Sequence, residues 1–363
     1  MDNLNVRLKP TVLIYQISNT SVVLRFCSEI INIDDEKGDV KFFFSLLDGR
    51  FTSEQILTIF SERYPDSAGA AHEYLNVVNE LKLIEYVPED AACLDQAQAN
   101  RYARNIEFFN STLNLGVNKF NVQKKLLESN VAVLGCGGLG SHIIMELAAL
   151  GVGGLTIVDF DTIELSNLNR QILYREADLG SKKVFKAREN ILKFNAGLNV
   201  KAIEKRIGCS EDIMSLVRGH DLVICAADKP RHHIVKWLNE TCCSLGIPYI
   251  NGGLDIRNAI FYSVIPGKSG CTECWKNSLP QEKQQIINAD DESGHDYSVP
   301  APALSALVSV ATGVMVCEAI KILTDIQPPM LINNLKSFSF DDLMITKNET
   351  RERSLTCDCC SNK

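Results

Sequence analysis

The segment from Val131 to Gln171 limits the fold of this chain more than any other. It opens with VAVLGCGGLG, a short apolar run into glycines at Gly135, Gly137, Gly138 and Gly140, and continues through SHIIMELAAL and LTIV to DFDTIELSNLNRQ. VAVL predicts a buried parallel strand, and SHIIMELAAL predicts a helix with an apolar face. Glycine is needed between them because the backbone must turn tightly and approach a phosphate or ribose, at a helix N terminus that favours anions. Asp159, about twenty residues further on, ends the next strand, where an acid can hold ribose hydroxyls. These features predict an α/β fold with a doubly wound, Rossmann-like domain and a nucleotide at the carboxyl edge of its sheet. To this point a dinucleotide fits as well as ATP.

The next loop favours ATP. Asn167, Arg170 and Gln171 leave the carboxyl end of a strand, the edge where doubly wound sheets bind ligands. Arg170 and Lys183 supply two cations, which suit a triphosphate attacked at its α-phosphorus while charge builds on the leaving pyrophosphate. Hydride transfer has no use for them. DLVICAAD is a further buried strand whose terminal Asp228 emerges at the same edge, placed to hold magnesium against phosphates. Taken singly, a capping Asp and a solvated helix face explain Asp228, Lys182 and Lys183 equally well; together with the loop, phosphate chemistry is the better account.

The 13 cysteines include two CxxC pairs, Cys271 with Cys274 and Cys357 with Cys360. Two such pairs offer four thiolates for a tetrahedral structural zinc, which would tie the C-terminal tail to the core. Redox chemistry is the alternative. Cys27, Cys136, Cys225 and Cys317 stand in apolar runs and are expected in the core, and Cys359 has no assigned role. The net charge of -8 gives no reason to expect nucleic acid. No apolar run looks long enough to span a bilayer, and MDNLNVRLKP lacks the apolar centre of a signal peptide, so a cytoplasmic protein is expected, without a membrane partner.

Upstream, VLIYQI, SVVLRF and EIINI predict a small strand meander. A helix capped by Thr52 or Ser53 follows, then a helix through EYLNVVNELKL and a strand IEYV. The expected organisation is a small α+β, winged-helix-like domain over residues 1–90, a linker and dimerisation segment over 91–130, a nucleotide domain over 131–345, and a zinc-binding tail over 346–363. Within it, 276–300 reads as a polar crossover loop. That loop contains no cysteine, and its His295 reads as solvated more readily than as a base.

GCGGLG, DFDTIELSNLNRQ, GSKKV, CAAD, PYINGG, the two cysteine pairs and EAIKIL occur in an order that resembles the ThiF/MoeB-like, ubiquitin-activating superfamily over roughly residues 100–363. The resemblance implies adenylation of a carboxylate with MgATP by a homodimer. It puts Asp159 and Asp161 by the ribose, Asn167, Arg170 and Lys183 toward the phosphates, and Asp228 on magnesium. Arg104 of RYAR matches an arginine that reaches into the partner's ATP site. The pattern of residues 1–90 resembles the recognition element of enzymes that mature ribosomally made peptides, which binds a leader peptide as an added strand. With NRYARN and IPGKSGCTEC, it resembles the peptide-maturing branch, which includes the microcin C-type and pantocin A-type enzymes. The implied activity is activation of a carboxyl or amide group on a ribosomal precursor peptide: a C-terminal Asn in the microcin route, a Glu side chain that leads to cyclisation in the pantocin route. Two other readings stay open, an activator of a ubiquitin-like sulfur carrier and a non-catalytic scaffold that presents a leader peptide.

Overall fold

The computed structural model describes residues 4–87, 91–230, 233–293 and 302–361. The chain forms two compact units, Met1–Lys124 and Lys125–Lys363.

The strands of the first unit are β1 Asn5–Leu8, β2 Leu13–Ser18, β3 Ser21–Phe26, β4 Glu29–Asp34, β5 Asp48–Thr52 and β6 Ile84–Val87. Its helices are α1 Asp39–Leu46, α2 Ser53–Arg63, α3 Ala70–Glu80, α4 Gln96–Arg101 and α5 Ala103–Asn110, and α6 Lys119–Glu128 carries the boundary between the units. β2, β3 and β4 form the expected antiparallel meander, while β5, β1 and β6 form a second small sheet. β1 and β5 escape the sequence reading because both are short and owe their pairing to segments far along the chain. Thr52 caps α2 in a capping box: its hydroxyl accepts from Gln55 N at 3.3 Å, and the Gln55 side chain accepts from Thr52 N at 2.9 Å. Phe43, Ile56, Phe60 and Ile84 form the centre of this core. The stretch read as a linker is partly helical, because Asp95 and Gln98 make a second capping box at the start of α4. Residues 91–124 also hold the strands: the buried Lys9 amine donates to the carbonyls of Asn110 and Leu113, both at 2.6 Å, and burial pulls its pKa down to about 8.

The strands of the second unit are β7 Asn130–Leu134, β8 Gly154–Asp159, β9 Asn199–Glu204, β10 Leu222–Cys225, β11 Tyr249–Asp255, β12 Asn258–Val264, β13 Asn334–Ser339 and β14 Ile345–Thr350. They make one sheet in the order β14-β13-β12-β11-β10-β7-β8-β9. β9, β8, β7, β10 and β11 are parallel, and β12 to β14 add antiparallel strands at one edge. The chain order therefore reverses direction between β7 and β10, the switch point at whose carboxyl ends such sheets bind ligands. The helices are α7 Gly138–Leu150, α8 Lys183–Phe194, α9 Ser210–Val217, α10 Ile234–Leu245, α11 Thr272–Ser278, α12 Gln281–Ser293 and α13 Ser305–Thr324. Val131–Leu134 and Leu222–Cys225 are wholly buried, as central parallel strands must be.

Three expectations need correction here. Much of the stretch read as a loop over 276–300 is helical: Pro280 accepts the first backbone bond of α12, from Gln284 N at 3.1 Å, and QEKQQIINADDES contains no glycine or proline. α13 does have the length and hydropathy of a membrane span, with a mean hydropathy of 1.9. Its buried face nonetheless carries Glu318, whose carboxylate accepts from Ser263 Oγ, Met330 N and Leu331 N at 2.8 Å each, and that face packs on the sheet. Finally, Cys136 and Cys225 are buried as expected, but Cys27 lies in the exposed β3–β4 turn and Cys317 on the exposed side of α13.

Candidate active site

The glycine turn joins β7 to α7 at the switch point. Gly135 has φ +98°, and a Cβ there would stand 2.8 Å from the Ala226 carbonyl oxygen, so the turn and the end of β10 touch backbone to backbone. A Cβ on Gly140 would stand 1.9 Å from the Gly135 carbonyl oxygen, which closes α7 onto its own turn. Gly137 and Gly138 serve another purpose, since their open sides face the Gln171 amide and the Arg170 stem, at 3.9 and 3.5 Å. The NRQ loop therefore lies over the turn. Asp159 fixes both strand ends, accepting from Cys136 N at 2.7 Å and from Asp161 N at 2.8 Å. Tyr174 donates to the Cys136 carbonyl at 2.8 Å, and burial pushes its hydroxyl pKa well above the usual value.

Within the loop, the buried Asn167 is the organiser. Its side-chain oxygen accepts from Glu164 N at 3.2 Å and its carbonyl accepts from Arg170 N and Gln171 N at 3.1 and 3.0 Å. The Arg170 guanidinium rests on Ser166 O at 3.0 Å and Asn169 Oδ1 at 2.8 Å. Gln171 is 3% exposed, and its Oε1 has no partner among the described residues. An orphaned buried acceptor beside a glycine turn marks where a ligand donor fits. Lys183, also buried, begins α8 and pairs with Asp161 at 2.9 Å. Asp228 is exposed, three residues past β10 and just before the cis Lys229–Pro230 bond. The second unit thus gathers the four glycines, Asp159, Asp161, Asn167, Arg170, Gln171 and Lys183 at one sheet edge, with Asp228 leaving the neighbouring strand. Arg104 lies on α5 of the first unit, exposed. His295 falls outside the described residues.

Cys271, Cys274, Cys357 and Cys360 converge although 86 positions separate the pairs. All are buried, with Sγ separations of 3.8 Å for Cys271–Cys274, 3.7 Å for Cys271–Cys357 and 3.4 Å for Cys274–Cys360. A tetrahedral zinc with Zn–S bonds of about 2.3 Å would set its sulfurs about 3.8 Å apart, so the set fits such an ion. Cys359 now has a place: its sulfur accepts from Asn239 Nδ2 at 3.1 Å and lies with Cys243 beside Cys271. Thiol hydrogen bonds from Cys243 and Cys359 hold the Cys271 pKa far below the usual thiol range. Asn239 also accepts from Tyr249 at 2.8 Å and from Thr272 N at 3.1 Å. Nothing in the sequence pattern singles out Asn239, Glu318 or His142, each of which has a partner from a distant segment.

A model of the ThiF family matches residues 102–359. The chain belongs to the ThiF family. Among curated relatives, it is 32% identical over 237 residues to the SAMP-activating enzyme E1 of Haloferax volcanii, which covers 64% of this chain and 78% of that protein. It is 30% identical over 236 residues to the sulfur carrier protein adenylyltransferase of Thermus thermophilus, over 62% of this chain and 82% of that protein. Among solved structures, Escherichia coli MccB with AMPCPP and MccA superposes with a TM-score of 0.79 at 25% identity, covering 99% of this chain and 100% of MccB. As a ThiF-family protein with relatives of this kind, the chain is an ATP-dependent adenylyltransferase.

Proposed function

We propose that this enzyme uses MgATP to activate a carboxyl or amide group of a ribosomally made precursor peptide, whose leader is bound by residues 1–90, and that it works as a homodimer. The observation that carries this reading is coverage. The Haloferax volcanii and Thermus thermophilus relatives align with 64% and 62% of the chain, whereas the likeness to MccB, solved with MccA, runs through 99% of it. The likeness to MccB therefore extends through the first unit, most of which lies outside residues 102–359 that the ThiF family model matches.

In this reading the triphosphate lies over Gly137 and Gly138, with the Gln171 amide nitrogen on its flank and Arg170 and Lys183 toward its phosphates. Lys183 changes partner from Asp161 to phosphate when ATP enters. Arg104 of the second protomer completes the site, and Asp159 and Asp161 lie by the ribose. A substrate oxygen forms its bond to the α-phosphorus as the bond to the bridging oxygen breaks, and pyrophosphate leaves on the cationic side. Asp228 would hold magnesium, which neutralises phosphate charge. The four clustered cysteines would hold a structural zinc.

The test is exchange of labelled pyrophosphate into ATP, driven by short synthetic peptides from open reading frames beside the gene. Exchange with a peptide that ends in Asn supports the microcin-like route, and exchange with one that contains Glu-Glu the pantocin-like route. Activation of a sulfur carrier is kept as a second reading because of the 30–32% relatives. Exchange driven by a Gly-Gly-ended protein and by no peptide would establish it in place of the first.

A further inference from the structure

His142 lies in the second turn of α7, the helix that starts at the glycine turn. It is 4% exposed, and its Nε2 lies 3.1 Å from the Arg170 carbonyl oxygen. A carbonyl only accepts, so Nε2 must carry the hydrogen, and Nδ1 is left with a lone pair. Nδ1 faces Ser309 Oγ of α13 at 3.4 Å, and that hydroxyl also lies 3.1 Å from Ser305 O. The imidazole therefore joins three segments: the helix that starts at the glycine turn, the NRQ loop above it, and α13.

We infer that His142 is a positioning residue that holds the Arg170 peptide so that its guanidinium stands over the glycine turn. The inference rests on the reading of this edge as the triphosphate site. Asn167 grips the Arg170 N–H from one side, and His142 grips its carbonyl from the other. The Arg170 stem then passes within 3.5 Å of the space above Gly138, with little freedom at its root. Without the imidazole, the carbonyl loses its donor, the peptide can rotate, and the guanidinium spreads over more positions. Burial lowers the His142 pKa, which keeps the ring in the neutral form that this arrangement uses.

The test is calorimetric titration of the full chain with MgATP and with AMP, for wild type, His142→Ala, His142→Phe, His142→Gln, Arg170→Ala and the His142→Ala/Arg170→Ala pair. Loss of one positioned donor predicts roughly tenfold weaker ATP binding in His142→Ala. AMP, which lacks the phosphates that Arg170 would meet, should keep its affinity. His142→Phe, which fills the space without a donor, should match His142→Ala; His142→Gln, which restores an N–H, should recover most of the loss. In the Arg170→Ala background, His142→Ala should add nothing. Equal losses for ATP and AMP, or an undiminished effect in that background, would overturn the inference. Arg170→Ala with wild-type ATP affinity would instead overturn the phosphate reading, and the inference with it.

Discussion

Gly140→Ala is the sharpest test of how the glycine turn is built. The added methyl would lie 1.9 Å from the Gly135 carbonyl oxygen and 2.7 Å from its carbon, both backbone atoms that no side-chain rotation can clear. Ordinary contact needs about 3.4 Å, so the turn and the helix must part by about 1.5 Å. Gly135 cannot move freely, since its own N–H donates to Val158 O at 2.8 Å and its α-carbon lies against Ala226. Overpacking of this kind costs about 2–3 kcal/mol. At roughly 2–4 °C per kcal/mol for a unit of this size, the melting temperature should fall by about 4–12 °C. Trp237 and Trp275 are the only tryptophans in the chain and both belong to the second unit, so their fluorescence follows that unit alone. ATP affinity should fall with it. The same change at Gly313, where a Cβ meets nothing within 4 Å in the middle of α13, should have the opposite sign and stabilise by about 0.5–1 kcal/mol. A Gly140→Ala protein that melts within a degree of wild type and binds ATP equally well would refute the close-contact argument.

Other outcomes follow from the same geometry. Asp228→Ala should abolish pyrophosphate exchange while the tryptophan melt stays within a degree or two, because the side chain is exposed; full exchange would remove it from the metal site. Metal analysis should find about one zinc per chain. Cys360→Ser should lower that content and open residues 351–361 to protease, whereas a metal-free chain with a protected tail would refute the zinc reading. His142 has a lowered folded pKa, so the unfolded chain takes up its proton first. The contribution from this group is therefore fully present above about pH 6.5 and is lost as pH falls through that value toward the lowered folded one. Among the described residues, Arg170 is turned toward Ser166 and Asn169, and Glu146, one turn further along α7, accepts from Thr312 and has its pKa raised by burial. Denaturation across pH 5–7 should show a steeper loss of stability for wild type than for His142→Gln, and identical slopes would contradict the burial argument.

Much of the site was legible because its grammar is local. A strand, a glycine turn and a helix occupy consecutive residues, and the φ of +98° at Gly135 is a demand that glycine meets wherever the turn occurs. The capping box at Thr52 is equally local. Misreadings arose where polarity alone was the guide. QEKQQIINADDES is polar because α12 is solvated, and Cys27 is exposed because a turn interrupts its apolar run.

The sequence by itself therefore determined the strand–turn–helix unit, the family motifs and the two cysteine pairs, all features whose physics closes within a few residues. Only the tertiary structure decided that β10 lies directly beside β7, so that Gly135 meets Ala226 backbone to backbone. It likewise decided that Asn239 links Cys359 to Tyr249 and that His142 meets Arg170. Those contacts depend on strand order and helix packing, which arise from burial over the whole sheet and leave no periodic trace in the residues that finally touch.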